Sequence, residues 1–269
     1  MQGLLKKMVD KGGSDLFITA GFPPAIKVDG EIHRASEQEL TKEQSAIIVR
    51  SIMNDKQARE FDATKECNFA ISPQGIGRFR VSAFIQQGAV GAVLRQIITE
   101  IPTVEDLELP EGLKDIAMTK RGLVILVGAT GSGKSTTLAA MVGHRNANSR
   151  GHIVTIEDPV EYVHPHNRCV VTQREVGIDT ESWFAALKNT LRQAPDVIMI
   201  GEIRDRDTME FGIQFAETGH LCLATLHANS ANQAIDRIIN FFPEEKRNQL
   251  LMDMSLNVQA MISQRLLPR

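Results

Sequence analysis

Cysteine is scarce. Cys67, Cys169 and Cys222 are the only three in 269 residues, an odd and widely separated set with no CxxC pair. That excludes a disulfide framework and a four-cysteine zinc site built within this chain, and it fits a reducing cytoplasm. Long apolar runs are missing too: the longest, such as LVILVGA from Leu123 to Ala129, fall far short of a bilayer span. The opening MQGLLKKMVDKGG has no signal-peptide apolar core. Any membrane role is therefore expected to be peripheral. Excess charge of one sign is also lacking, since 30 Lys and Arg against 33 Asp and Glu leave a net charge of −3. With no basic footprint, no nucleic-acid partner is expected, and DNA translocation is the weakest functional reading.

What the chain does have is length and apolar content. At 269 residues and 42% hydrophobic it exceeds one comfortable core, so two domains are expected. SDLFITAG and PPAIKVDGEI read as strands separated by the turn signal Gly21-Phe22-Pro23-Pro24. Thr41 and Gln44 have capping-box spacing, and Ile47, Ile48 and Ile52 predict one face of a helix running from Thr41 to Phe61. CNFAIS and RFRVSAFIQQ, joined through Gly75 and Gly77, complete an α+β unit over residues 1–98. ITEIPTVEDLELPEG, with Pro102 and Pro110, reads as a linker over 99–118.

From residue 119 to 269 the pattern becomes an alternation of short β-rich runs and helices, which predicts an α/β domain with a parallel sheet. GLVILVG, HIVTIED, CVVTQ, DVIMIGEI and LCLATLH are the strand candidates. The helices are expected over 133–148, 180–192, 208–217 and 231–241. The segment from Pro243 to Leu267 reads as one further helix, apolar around much of its circumference.

Gly128 to Ser135, GATGSGKS, matches GxxxxGK[ST] directly after an apolar strand and before a helix. In such a loop the backbone amides of Thr130, Gly131, Ser132, Gly133 and the residues through Thr136 face phosphates, at the positive end of a helix. Lys134 can reach the β- and γ-phosphates, and the Ser135 hydroxyl can bind Mg²⁺. ATP with Mg²⁺ is the expected ligand.

Transfer of a phosphoryl group to water also needs a carboxylate at a strand end near that loop. APDVIMIGEIRD ends on Glu202, the leading water-orienting and metal-associated acid, although Gly201 stands where many such motifs carry the metal-binding Asp. TIEDPVEY supplies Glu157, Asp158 and Glu161; carboxylates so close repel unless a cation or hydrogen-bond donors compensate, and Glu161 is the alternate base. His227, at the end of ATLH, is ordinarily read as a hydrogen-bonded strand-end histidine, but it shares the sheet with the phosphate loop. Arg237 has two readings, a phosphate contact or a pair with Asp236 and neighbouring acids.

GATGSGKST, TIEDPVEY, IGEIRD and ATLHANSANQAIDRI resemble, in order and spacing, the Walker A, Asp box, Walker B and His box of the secretion-type ATPases that drive type IV pili and type II secretion. SDLFITAGFPPAIKVDG and GRFRVSAF resemble the same family, so the likeness covers nearly the whole chain. Without a tetracysteine module it turns toward the PilT and PilU retraction ATPases, and ALKNTLRQAPDVI and TLHANSANQAIDRIINFFPEE are more similar to the PilU branch. The resemblance implies a PAS-like N-terminal domain, a RecA-like P-loop ATPase domain and a homo-hexameric ring. It implies Mg²⁺-dependent ATP hydrolysis driving pilus retraction and twitching motility from the cytoplasmic face of the inner membrane, alongside a PilT-type ATPase and an inner-membrane platform protein. The alternative is an ATP-binding ring scaffold that hydrolyses little and assists a partner motor.

By the same resemblance His227 senses the γ-phosphate, and Arg78, Arg80 and Arg95 reach nucleotide phosphates. Arg78 and Arg80 alternate on one strand and so share a face, and a solvated, charge-protected edge strand is the other reading of them. The Gln86-Gln87-Gly88 turn lacks an arginine found in relatives. The family continues beyond a QRLL-like stretch where this chain stops at Pro268-Arg269, which implies either a cut C-terminal end or a short variant.

Overall fold

The alternating N-terminal stretches pair into an antiparallel sheet. The computed structural model describes residues 1–97 and 100–267, and the chain forms two compact units, Met1–Thr99 and Glu100–Arg269. The first begins with helix α1 (Gln2–Asp10) and strands β1 (Asp15–Ile18), β2 (Ala25–Val28) and β3 (Glu31–Arg34). Helices α2 (Lys42–Arg50) and α3 (Asp55–Thr64) follow, then β4 (Glu66–Ile71), β5 (Arg78–Gln86) and β6 (Ala89–Ile97). The strand order is β3-β2-β1-β6-β5-β4. Leu16, Phe69, Phe79, Val81 and Leu94 from the sheet pack with Leu5 and Met8 of α1 in one core.

The single helix expected over 41–61 is two. Thr41 and Gln44 do form the capping box that starts α2. Asn54 and Gln57 form a second, reciprocal box that satisfies the first amides of α3 and breaks the run between them. The buried stripe of α2 is Ser45 and Val49, four residues apart, with Ile48 and Ile52 packed beside the core. Ile47 is exposed, because consecutive helical residues diverge by about 100° and cannot both follow that stripe.

The stretch 99–118 is not a bare linker. Ile98 and Thr99, where the expected boundary falls, lie outside the described residues. Downstream, Val104 is buried, and Leu113 and Ala117, four apart on α4 (Gly112–Ala117), enter the second unit's core. Arg145 fastens the end of this helix by donating to the carbonyls of Ala117 and Thr119 at 3.0 and 2.8 Å.

The second unit contains β7 (Gly122–Val127), α5 (Lys134–Asn148), β8 (Gly151–Glu157), β9 (Cys169–Glu175), α6 (Trp183–Thr190) and β10 (Val197–Ile200). It continues with α7 (Arg206–Glu217), β11 (Leu221–Leu226), α8 (Ala231–Asn240), α9 (Glu244–Asn257) and β12 (Val258–Ser263). All pairings are parallel, in the order β12-β7-β11-β10-β8-β9. Period-2 alternation sends Leu123, Ile125, Ile198 and Ile200 into one core and Val124, Leu126, Val197 and Met199 into the other. Both faces are therefore covered, which is why these strands read as continuous apolar runs. Each such side chain contributes roughly 1.5–3 kcal/mol of burial.

The tail corrects the expectation of one helix to Leu267. Helix α9 stops at Asn257 and VQAMIS becomes β12, beside β7. Ala260 and Ile262 pack against one core and Met261 against the other, an alternation of two that a helical reading obscures.

Because every strand runs the same way, the loops after β7, β8, β10 and β11 leave from one rim of the sheet. That rim is where ligands bind in open α/β folds.

Candidate active site

The rim loops enclose a cavity of about 370 Å³. Thr130, Gly131, Gly133, Lys134, Ser135 and Thr136 line one side; Glu161, Glu202 and His227 also reach it. The second unit thus brings together most of the residues expected from the motifs. Gly133 has φ +87°, a left-handed value that suits glycine, and a Cβ there would sit 2.9 Å from Gln264 Nε2. A Cβ on Gly128 would sit 2.3 Å from Ser132 Oγ. Ser132 is itself buried, and its hydroxyl has no hydrogen-bond partner.

Lys134 is buried, and its ammonium folds back on the loop, donating to the carbonyls of Gly128 and Ala129 at 2.9 Å each. Burial lowers its pKa, while the charges of Glu202 and Glu161 oppose that shift. The two neutral carbonyls are weaker partners for an ammonium than an anionic oxygen is. The loop also suits a hard cation. The Ser135 hydroxyl and the oxygens of Glu161 and Glu202 are hard donors. Among the described residues no group of three or more His, Cys, Asp or Glu could hold a metal alone. That combination fits Mg²⁺ completed by phosphate and water rather than a protein cage.

The three carboxylates at and just after the end of β8 separate into different environments. Asp158 is partly exposed, with Arg204 Nη1 at 3.8 Å. Glu161 is exposed at the cavity. Glu157 is buried and accepts from Thr155 Oγ1 at 2.6 Å and Gln173 Nε2 at 3.1 Å. Burial pushes its pKa up to about 7 against those two bonds, and the charge of Glu161 adds to the rise.

Gln173 does more than hold Glu157. Its Nε2 also donates to the Tyr162 carbonyl at 2.9 Å, and its Oε1 accepts from the His164 amide at 2.7 Å. Tyr162 OH meets Thr136 Oγ1 at 3.0 Å, so the acidic loop rests on the phosphate-loop helix. His164 is buried with Nδ1 unpartnered, and desolvation lowers its pKa to about 4. Sequence reasoning missed Gln173, Thr155 and His164. Period-2 spacing from buried Val171 was the available signal for Gln173.

Glu202 and His227 meet across the rim, with His227 Nε2 3.7 Å from Glu202 Oε1 and its Nδ1 3.5 Å from Lys134 Nζ. The histidine is therefore not an isolated strand-end residue; it bridges the lysine and the acid. Gly201 has a steric reason: a Cβ there would come within 3.2 Å of the Glu157 Cα and the Ile156 carbonyl. A larger side chain there requires that backbone to give by a few tenths of an ångström. Arg237 Nη1 donates to the His227 carbonyl at 2.7 Å.

The remaining candidates belong to the first unit. Arg78 and Arg80 alternate with buried Phe79 and Val81, as expected, and Arg95 lies directly across from Arg80. Arg95 Nε donates to the buried Asp15 carboxylate at 2.8 Å.

The family described as Type II/IV secretion system protein matches residues 4–269. The chain belongs to the type II/IV secretion ATPases. Among family members, the type IV pilus ATPase PilU of Pseudomonas aeruginosa is 63% identical over 98% of this chain and 69% of its own length. PilT, the type IV pilus retraction ATPase of the same organism, is 43% identical over 99% of this chain and 77% of its own. The greater likeness to PilU than to PilT is as the phrases around the Walker B and His boxes indicated. A solved structure of the pilus retraction motor PilT with bound ADP superposes with a TM-score of 0.95 at 42% identity, over all of this chain and 78% of that one. The Legionella pneumophila ATPase DotB gives 0.85 at 27% identity, over all of this chain and 76% of its own. This secretion ATPase is thus a nucleotide-binding ATPase of the type IV pilus class with a parallel-sheet core. Among the described residues no helix is long and apolar enough to cross a membrane.

Proposed function

We propose that this chain is a Mg²⁺-dependent ATP hydrolase acting as a homo-hexameric motor of type IV pilus retraction and twitching motility. It works at the cytoplasmic face of the inner membrane with a PilT-type ATPase and a platform protein. The observation that carries this reading is the convergence of Lys134, Glu161, Glu202 and His227 on one cavity. We read the first unit as PAS-like and the second as RecA-like, with domains over 1–98 and 119–269 and the residues between them packed on the second.

In this proposal the amides of residues 130–136 and Lys134 bind the phosphates. Ser135 and Glu202 hold Mg²⁺, which when bound supplies positive charge against the phosphate oxygens. Glu202 orients a water whose oxygen forms the new bond to the γ-phosphorus as the bond to ADP breaks, and it takes the water's proton; Glu161 is the alternate base. His227, held by its contacts to Lys134 and Glu202, registers loss of the γ-phosphate. Arg78, Arg80 and Arg95 are the guanidinium groups for phosphate, and Arg95 gives up Asp15 to serve.

The test is steady-state Mg²⁺-ATP turnover against protein concentration, with sizing in parallel, for wild type, Lys134→Ala and Glu202→Gln. Turnover that rises with assembly and is lost in both variants supports the motor. ATP binding without turnover in any assembly state overturns hydrolysis and leaves the ring-scaffold reading.

A further inference from the structure

The segment after the last helix returns to the phosphate loop from a direction that no sequence motif marks. Strand β12 runs beside β7, the strand that feeds the loop. Just past it, Gln264 donates its backbone N–H to the Val127 carbonyl at 2.8 Å. Its side-chain Oε1 accepts from Thr137 Oγ1, in the first turn of α5, at 2.8 Å. Thr137 is buried and Gln264 is partly so, which shields one end of this bond from competing water.

The same residue limits the room at two glycines of the motif. A Cβ at Gly128 would lie 2.7 Å from the Gln264 carbonyl oxygen, and one at Gly133 would lie 2.9 Å from its Nε2. At Gly131, between them, a Cβ would meet nothing within 4 Å. Gln264 thus touches both ends of the loop and the helix the loop enters, while it is not among the residues lining the cavity.

We propose that Gln264 is a positioning residue for phosphate binding, bracing the glycine loop so that its amides are ordered before nucleotide arrives. A glycine-rich segment has the most backbone freedom to lose, and ordering it in advance removes that cost from binding. Linkage makes the effect reciprocal: nucleotide that tightens the loop also tightens the hold on β12 and the residues after it. The proposal rests on the loop being the phosphate site, which the Lys134→Ala control tests separately.

The experiment is ADP binding by calorimetry to the full chain, with thermal melting and amide exchange in residues 130–135. Gln264→Ala and Thr137→Val remove the same bond from opposite ends. Each is expected to weaken ADP about five- to tenfold, the scale of one part-buried hydrogen bond plus the ordering it enforces. The double variant is expected to be no weaker than Gln264→Ala alone, Thr137→Ser to bind like wild type, and the unliganded loop amides to exchange faster in Gln264→Ala. If Gln264→Ala folds poorly, Thr137→Val, which keeps the side-chain shape, carries the comparison. Unchanged ADP affinity in these variants, with only a lower melting temperature, overturns the proposal provided Lys134→Ala abolishes binding. If Lys134→Ala also binds normally, the phosphate-site reading itself falls.

Discussion

Two loops meet over the cavity, and they are held in different ways. The phosphate loop is contiguous, residues 128 to 136, and much of its shape follows from glycines, one of them at φ +87°, and from Lys134 bonding its own loop's carbonyls. The acidic segment that ends β8 and opens the β8–β9 loop depends on one side chain of the next strand: Gln173 on β9 bonds Glu157, Tyr162 and His164 at once. A loop shaped mainly by its own glycines fails first when those residues change, and beyond them it leans on Gln264. A loop hung from one side chain on the following strand fails at that side chain, whatever its own sequence.

The largest expected effect breaks the local half. Gly133→Ala forces a Cβ into a left-handed position beside Gln264, and nucleotide affinity measured by calorimetry is expected to fall on the order of tenfold or more. Next, Gln173→Leu strips three polar partners from the acidic loop. The Tyr162 carbonyl and His164 amide lose this partner, while Glu157 keeps Thr155; the loss costs about 1–3 kcal/mol, and kcat is expected to drop roughly tenfold while ADP affinity stays near wild type. Equal loss of both would mean that the two loops are not separately held.

A third test sharpens the contrast through pH. The Glu157 carboxyl is raised from 4.5 to about 7 in the fold, so the folded chain binds more protons than the unfolded chain between those values. Stability from this group is complete below about pH 4.5 and is lost as pH rises to about 7. Glu157→Gln, which mimics the protonated form, is expected to match wild type in melting temperature near pH 5 and exceed it by about 3 °C or more at pH 8. A difference independent of pH would sink that account. The smallest effect lies away from the cavity: Thr41→Ala removes the α2 cap and is expected to cost about 1 kcal/mol in denaturant unfolding, with turnover unchanged.

The same contrast explains what could be read from residues alone. The phosphate loop, the strand ends bearing Glu202 and His227, and the parallel sheet were legible because spacing within a few residues determines them. Gln173 was not, because nothing near CVVTQ says what lies beside it on β8. The strand β12 was hidden by apolar residues that fit either period, and only the free edge of β7 decides between them. Val104, Leu113 and Ala117 were masked by the prolines around them. The break between α2 and α3 was visible in Asn54 and Gln57, a second capping box overridden by the apolar count.

Trp183, at the start of α6, is the chain's only tryptophan. It is buried, lines the cavity, lies close to the backbone of Gly201 and has the Arg204 guanidinium 4.9 Å from its ring centroid. Indole emission shifts with nearby charge and polarity, and every photon from this chain's indole originates beside the site. The protein therefore carries an unlabelled optical probe beside the cavity, whose emission can be followed in stopped flow as nucleotide is mixed in.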